Sequence, residues 1–473
     1  MLFHTPQYAF FLVIVVILFW LLRRSSFVRI WLLWVASYFF YACWNFWYLG
    51  LILSTSIVDY NVGRLIAKQK SPGKKKQLLA VSVIFDLGVL AVFKYFNFLS
   101  SGTGWLASLL GINIYTPYLD IILPVGISFY TFQSLSYTID IYRGKIEPAR
   151  SFAGFALFVS FFPQLVAGPI VRASHLLPQL YRKPGLDDAK AIEGIFRIAV
   201  GMLKKVVLAD LLAVHLVDQV FANPGDQTTG RLWLGLVGYS FQLYGDFSGY
   251  SDIAIGSAAL LGFNIPENFN RPYLAKSMRE FWERWHISLS TWLRDYLYFS
   301  IGGSRHSAPR TYINLFITMF LVGLWHGAAW NFVVWGLYIS TVMLITRYVQ
   351  QRARNAGIEI DENGASAWLL RILFFFTLAL SWPIFRAGTP DDMITYYNGL
   401  IGNGGGTAQH ALLPVILILV AAAAHVLPSK WDFKLREKLV ALHPALAAWI
   451  MVAFMVLLTR VASEAQPFIY FQF

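Results

Sequence analysis

Apolar runs of about 20 residues recur along nearly the whole chain, and each is long enough to cross the hydrocarbon core of a bilayer. Such runs leave few folds open. In lipid every backbone N–H and C=O must be paired within the protein, which only helices and closed barrels achieve. Candidate spans fall at about 7–22, 28–43, 46–62, 77–99, 119–141, 194–214, 231–262, 311–328, 331–348, 369–388, 411–428 and 444–460. The 473 residues are 57% hydrophobic and only 13% charged, too little charge for a soluble surface of this size. The expected fold is an all-α polytopic membrane protein without a sizeable soluble domain.

The net charge of +13 is distributed in short segments between the apolar runs. The basic groups are Arg23, Arg24 and Arg29; Arg64, Lys68, Lys70, Lys74, Lys75 and Lys76; Arg143, Lys145 and Arg150; Arg347, Arg352 and Arg354; and Lys430, Lys434, Arg436 and Lys438. That is the loop bias which orients membrane proteins, and it argues against a nucleic-acid partner. Counting crossings from an external N-terminus puts every cluster on the cytoplasmic side and both termini outside. Met1 to Tyr8 carries no Lys or Arg, and Arg23-Arg24 follow the first apolar run, so that run reads as a retained helix and not a signal peptide. The lone Cys43 rules out an internal disulfide and a cysteine metal cluster, and it has no basic neighbour to form a thiolate.

Three stretches should depart from simple spans. Residues 151–171 are broken by Pro163, Gly168 and Pro169 and read as a re-entrant or kinked segment. Residues 194–214 carry Arg197, Lys204, Lys205 and Asp210, so this helix must face protein or water. Residues 231–262 are long for one span and hold Asp246 and Asp252 in a Gly/Ser-rich stretch, which predicts two broken helices meeting there. Loops are expected at about 100–118, 353–366 and 389–409, and no internal repeat is evident. The whole chain reads as one membrane-embedded domain over 1–473. Its parts are N-terminal helices (about 1–118), a motif-bearing core (about 119–348) and C-terminal helices (about 369–473).

Two Trp-His pairs, Trp285-His286 and Trp325-His326, lie forty residues apart. His326 sits in an almost wholly apolar stretch, and an ionisable residue at membrane depth is a functional-site candidate by default. Desolvation there disfavours the imidazolium and leaves the neutral ring that a general base needs. Gly323 and Gly327 flank it four residues apart, so another backbone or a thin linear ligand could approach closely. The bland alternative is a core histidine bonded to a carbonyl.

In the segment 279–298, helical spacing places Arg279, Glu283, His286 and Ser290 on one stripe and Trp282, Trp285, Leu289 and Trp292 on its neighbour. This predicts one amphipathic helix at an interface, with an anchoring role as the alternative to chemistry. Asp246 and Asp252 need a reason to be buried, and pairing with Arg271, Arg279 or Arg284 would give a structural one. His175 belongs in a cytoplasmic turn. His4, His215, His306, His410, His425 and His443 fall near span ends or in loops and read as solvated. There is no phosphate loop, no Gly-x-Ser-x-Gly elbow and no His-Glu-x-x-His helix, and no carboxylate–histidine spacing for a metal.

The run Phe281-Trp282-Glu283-Arg284-Trp285-His286-Ile287-Ser288-Leu289-Ser290-Thr291-Trp292-Leu293-Arg294-Asp295-Tyr296-Leu297 resembles the signature of membrane-bound O-acyltransferases, in their bacterial alginate O-acetyltransferase branch. Gly323-Leu324-Trp325-His326-Gly327 is similar to that family's histidine motif. The segments 124–133, 244–252 and 468–473 are similar to other family segments. The resemblance covers essentially the whole chain. It implies a ring of about 11–12 transmembrane helices, with re-entrant and interfacial helices, around a central tunnel. It also implies His326 as the catalytic residue and His286 as the second active-site histidine.

The implied reaction is acetyl transfer from acetyl-CoA, a substrate and not a resident cofactor, with His326 as base and His286 orienting the donor or steadying the oxyanion. Trp325, Gly323, Gly327, Trp285, Glu283, Ser290, Asp246 and Asp252 would support the site or line its tunnel. Arg279, Arg284 and Arg294 would hold the nucleotide end of CoA, with the ordinary bias of basic residues toward cytoplasmic loops as the alternative. The branch further implies a bacterial inner-membrane location and relay of the acetyl group to a periplasmic SGNH-type acetyltransferase that modifies a polysaccharide. Alginate, cellulose, another exopolysaccharide and peptidoglycan all remain open as acceptors, as does D-alanyl transfer to teichoic acid. Two readings from other classes also stand: a transporter or flippase with a histidine relay, and a scaffold without chemistry.

Overall fold

The computed structural model describes residues 1–166, 168–185, 187–357, 364–406 and 411–427, together with 446, 449, 453, 454, 456, 458, 468 and 469. The predicted span 444–460 and the histidines His410 and His443 therefore fall wholly or mostly outside the described residues. Every regular element among the described residues is helical. Pro72–Leu109, Trp330–Asn355 and Ala365–Arg386 are each long and apolar enough to cross a membrane, and Pro6–Leu21, Ser26–Ala42 and Leu412–Val426 are shorter apolar helices. Side chains such as Phe10, Ile14, Leu21 and Ile84 stand exposed on apolar helices, as lipid-facing positions would.

The chain forms two compact units. The first, Met1–Gly194 with Ala254–Pro266, contains α1 (Pro6–Leu21), α2 (Ser26–Ala42), α3 (Leu49–Lys68), α4 (Pro72–Leu90), α5 (Phe96–Leu109), α6 (Ile127–Tyr142), α7 (Phe152–Ser160), α8 (Phe162–Leu165) and α9 (Ala173–Tyr181). Proline at the first helical position starts α1 and α4, where its missing N–H costs nothing. The Ser25 side chain caps α2 by accepting from Val28 N at 3.4 Å. A polar seam joins α3, α4 and α6: Ser134 donates to Asp59, and Ser82 and Thr138 share a bond of 2.9 Å.

The break expected in 151–171 is present between α7 and α8, at Phe161. Side chains satisfy the backbone groups it frees. Phe162 N donates to Ser37 Oγ at 3.1 Å, and Gln164 Nε2 donates to Phe158 O at 2.5 Å. Two expected loops are largely helical. Residues 100–109 belong to α5, and a capping box at Thr389 and Asp392 starts a helix inside 389–409. In the opposite sense, residues 119–126 of the predicted span 119–141 are not helical, because Pro124 and the left-handed Gly126 delay the start of α6.

The second unit, Ile195–Ile253 with Glu267–Phe473, takes in most of α10 (Asp188–Met202) and the π-wound turns that follow, then α11 (Asp218–Ala222) and most of α12 (Thr229–Leu260). It continues with α13 (Met278–Arg284), α14 (Ile287–Trp292), α15 (Ala308–His326), α16 (Trp330–Asn355), α17 (Ala365–Ala379), α18 (Trp382–Arg386), α19 (Pro390–Asn398) and α20 (Leu412–Val426).

The two broken helices expected in 231–262 are instead one continuous helix, α12, of 32 residues. Its glycines serve packing and not a break. A methyl group at Gly249 would lie 2.7 Å from Gly201 O, and one at Gly245 would lie 2.9 Å from Lys204 O, so both glycines admit the neighbouring backbone. The charged residues of 194–214 face protein, as expected. Lys205 bridges Asp210 and Asp246, at 2.7 Å to each, and Lys204 holds Asp252 at 2.6 Å.

Candidate active site

The segment 279–298 is not one amphipathic helix. α13 ends at Arg284 and α14 begins at Ile287, and between them His286 takes a left-handed conformation with φ 43° and ψ 53°. That region is sterically unfavourable for a residue with a side chain, so something must hold it. The loop 268–270 does, through backbone bonds from Asn270 N to Arg284 O at 2.8 Å and from Ile287 N to Asn268 O at 3.0 Å. The break splits the predicted polar stripe. Arg279 is 68% exposed and pairs with the exposed Glu283, whereas His286 is 1% exposed, so Glu283 stays at the surface and away from the imidazole. Trp282, Trp285, Leu289 and Trp292 are all buried in protein. Ser290, half-buried, donates to Trp285 O at 3.2 Å and so closes the turn around the break.

The buried imidazole of His286 has defined surroundings. Its Nδ1 lies 3.1 Å from Asn268 Oδ1. The same oxygen accepts from Ser288 N at 3.2 Å and from Ser288 Oγ at 2.9 Å, and Asn268 Nδ2 donates to Ser251 Oγ at 3.2 Å. The Phe247 ring meets His286 edge-on at 4.7 Å between centroids, and the Trp325 indole lies 5.7 Å away. Burial pushes the His286 imidazole down to about 3, so the ring is neutral over the working range of pH.

His326 closes α15 and is 5% exposed. Aromatic rings enclose it: Trp325 and Trp335 at 5.0 Å and Phe385 at 5.2 Å between centroids. Trp325 thus touches both histidines, and the two Trp-His motifs meet through it. The flanking glycines serve packing. A methyl group at Gly323 would run into Gly336 and the Phe332 carbonyl on α16, and one at Gly327 would run into the Phe332 ring. Of the two possibilities open at Gly323, close approach of another backbone is the one found.

Asp246 and Asp252 do not pair with Arg271, Arg279 or Arg284. Asp246 binds Lys205 and also accepts from Ile469 N at 2.8 Å, and Asp252 binds Lys204 and Arg197. Spacing along the chain favoured the nearby arginines, but α12 lies against the helix that carries the lysines. Arg284 binds Glu280 at 2.9 Å and Arg294 binds Asp295 at 2.8 Å.

Among the remaining histidines, His175 is exposed but helical, on α9, and reaches Asn264 O at 2.8 Å. His215 and His306 are exposed as expected. His4 and His425 are buried, against expectation. His425 bonds Ala421 O at 3.1 Å through Nδ1 and stacks on Tyr273, as a core histidine would. The residue that sequence reasoning missed is Asn268. Its only signal was two asparagines, Asn268 and Asn270, in the turn leading to the tryptophan motif.

Residues 149–382 match the model of the MBOAT, membrane-bound O-acyltransferase family. A probable alginate O-acetylase (AlgI) of Azotobacter vinelandii is 42% identical over 398 residues, 82% of this chain and 77% of the relative. A peptidoglycan O-acetyltransferase of Helicobacter pylori is 33% identical over 441 residues, covering 87% and 81% of the two chains. A teichoic acid D-alanyltransferase of Bacillus subtilis is 29% identical over 244 residues, 48% of this chain and 60% of its own.

Proposed function

The chain belongs to the membrane-bound O-acyltransferase family and is an O-acyltransferase, and from that premise we propose that it takes acetyl from cytoplasmic acetyl-CoA and passes it across the membrane for O-acetylation of an alginate-like exopolysaccharide. The higher identity to the alginate O-acetylase than to the peptidoglycan and teichoic acid enzymes favours that acceptor. The acetyl group would leave through a periplasmic SGNH-type partner that carries it to the polysaccharide.

The observation that carries the reading is the pair of buried histidines joined through Trp325. In the proposed step the acceptor hydroxyl attacks the thioester carbonyl while His326 takes its proton. The C–S bond then breaks, and the proton passes from His326 to the departing thiolate. A positioned base of this kind contributes about 10² to 10⁴ in rate. The aromatic walls supplied by Trp325, Trp335 and Phe385 keep out the water that would hydrolyse the thioester. Arg279 and Arg294 hold carboxylates near the surface, where exchange for a CoA phosphate costs little, and they are the proposed contacts for the nucleotide end. Arg284 also donates to Asn270 O at 3.3 Å, so it is the least available of the three.

The test is acetyl-CoA consumption by purified protein in lipid, with and without the partner. His326→Ala should reduce CoA release by at least about 10², the low end of what a base supplies. Unchanged CoA release in that variant overturns the assignment of His326. Absence of acetyl on a serine of the co-purified partner, read by mass spectrometry, overturns the relay.

A further inference from the structure

Asn268 Oδ1 receives the backbone N–H of Ser288, a group that can only donate. The carboxamide is thereby oriented, with oxygen and not nitrogen facing the 286–288 turn. Its amide nitrogen is used on Ser251 Oγ, 3.2 Å away, which agrees with the same orientation. His286 Nδ1, 3.1 Å from that oxygen, must then be the protonated nitrogen, because two acceptors would repel. We infer that Asn268 is a positioning residue for His286: its carboxamide oxygen holds the imidazole as the Nδ1–H tautomer and makes Nε2 the ring's accepting nitrogen.

The inference rests on the acyl-transfer reading, and it changes the part His286 plays in it. A neutral ring whose N–H is committed to Asn268 has no second N–H for an oxyanion, so His286 accepts a hydrogen bond at the site and does not donate one. The left-handed backbone serves the same end. Bonds from Ile287 N to Asn268 O and from Asn270 N to Arg284 O fix the turn on both sides of His286, and so fix the distance from ring to carboxamide. Among the described residues, the rings of Phe247 and Trp325 face His286. The charges on α12 beside Phe247 are occupied elsewhere, Asp246 with Lys205 and Asp252 with Lys204 and Arg197. Burial is the cause that lowers the imidazole.

Two measurements separate this inference from the activity it rests on. The first is ¹⁵N NMR of histidine-labelled protein in lipid, assigned with His286→Ala. The expected result is Nδ1–H with a bare Nε2 for His286 in the wild type, and a mixture of tautomers in Asn268→Ala. An Nε2–H tautomer in the wild type overturns the inference whether or not the protein turns over acetyl-CoA. The second is kinetic. Asn268→Ala should lose kcat on the order of 10- to 100-fold, part of what a positioned acid–base group supplies, with KM nearly unchanged. Asn268→Asp keeps the acceptor and adds a charge beside Nδ1–H. It should recover kcat at high pH while moving the acid limb of the pH–rate profile up by about one unit or more. Wild-type kcat and an unmoved acid limb in both variants would overturn it, while no turnover in the wild type at neutral pH would overturn the acyl-transfer reading and leave the NMR result standing.

Discussion

Lys205 is the side chain whose loss should be felt most outside the histidines. It is 2% exposed and is the shared cation between Asp210 and Asp246. Truncating it strands two buried carboxylates, and breaking a buried pair in this way costs about 3–5 kcal/mol. Lys205→Ala should therefore melt well below wild type in detergent. Arg279→Ala, which removes an exposed i,i+4 pair, should stay within about 0.5 kcal/mol. Equal melting temperatures for the two variants would contradict the buried bridge. His286 makes a pH-dependent contribution of the opposite kind. Its folded value lies near 3, below the ordinary value of about 6.5, so between those limits the unfolded chain binds a proton that the folded chain does not. Stability from this group is complete above about pH 6.5 and declines as pH falls towards 3. The drop in melting temperature between pH 7.5 and pH 5 should shrink in His286→Asn, which tolerates the left-handed backbone and carries no titrating ring.

Among the elements, α15 and α16 form the hairpin that carries His326, and Gly323 sets how closely they pack. The added methyl of Gly323→Ala would meet backbone atoms of Gly336, which cannot rotate away. Overpacking of this kind costs about 1–3 kcal/mol and would shift His326 relative to Trp335, so melting temperature and CoA release should fall together. Gly88→Ala on α4 is the control. Nothing lies within 4 Å of the new methyl, and exchanging a mid-helix glycine for alanine should be neutral or stabilising by about 0.5–1 kcal/mol. Most of the elements were legible in the sequence, because apolar run length sets where a helix in lipid begins and ends. α1, α2 and α15 fall within a few residues of their predicted spans. The errors share a cause. The glycines of α12 suggested a break because, without the partner helix, nothing distinguishes a glycine that bends a helix from one that admits a neighbour. Spacing placed His286 on a polar stripe with Arg279 and Glu283, and only the bonds from Asn268 and Asn270 reveal the reversal that buries it. His326 was legible as a candidate from its apolar setting, and His286 from the resemblance of the motif that holds it. Asn268 was not, since its role depends on a contact across a turn.

For the whole molecule the open quantity is its orientation in the bilayer, and the chain carries a natural probe for it. Cys43 is its only cysteine and is exposed at the C-terminal end of α2. If the N-terminus is outside, α1 crosses inward, Arg23 and Arg24 meet the cytoplasm, and α2 crosses back to present Cys43 on the outer side. The next crossing, α3, delivers Lys68, Lys70, Lys74, Lys75 and Lys76 inside, as the bias of basic residues toward cytoplasmic loops requires. The long helical run Pro72–Leu109 then returns outward, and α6 brings Arg143, Lys145 and Arg150 back in. A membrane-impermeant maleimide applied to spheroplasts should therefore label the wild-type protein at Cys43 and leave Cys43→Ser unlabelled. In that background Lys75→Cys should stay unlabelled in spheroplasts and react in inverted vesicles. The inverse pattern would place the basic loops outside, contradict the charge bias and remove cytoplasmic acetyl-CoA as the donor. The same count gives the site a depth. With Arg305 and Arg310 at the start of α15 and Arg347, Arg352 and Arg354 near the end of α16, His326 lies at the end of α15 remote from the basic loops, about 27 Å along the helix at 1.5 Å per residue. As the proposed base, His326 at that depth would suit an enzyme that receives its acyl group on one side and gives it up on the other, and the labelling pattern decides which side is which.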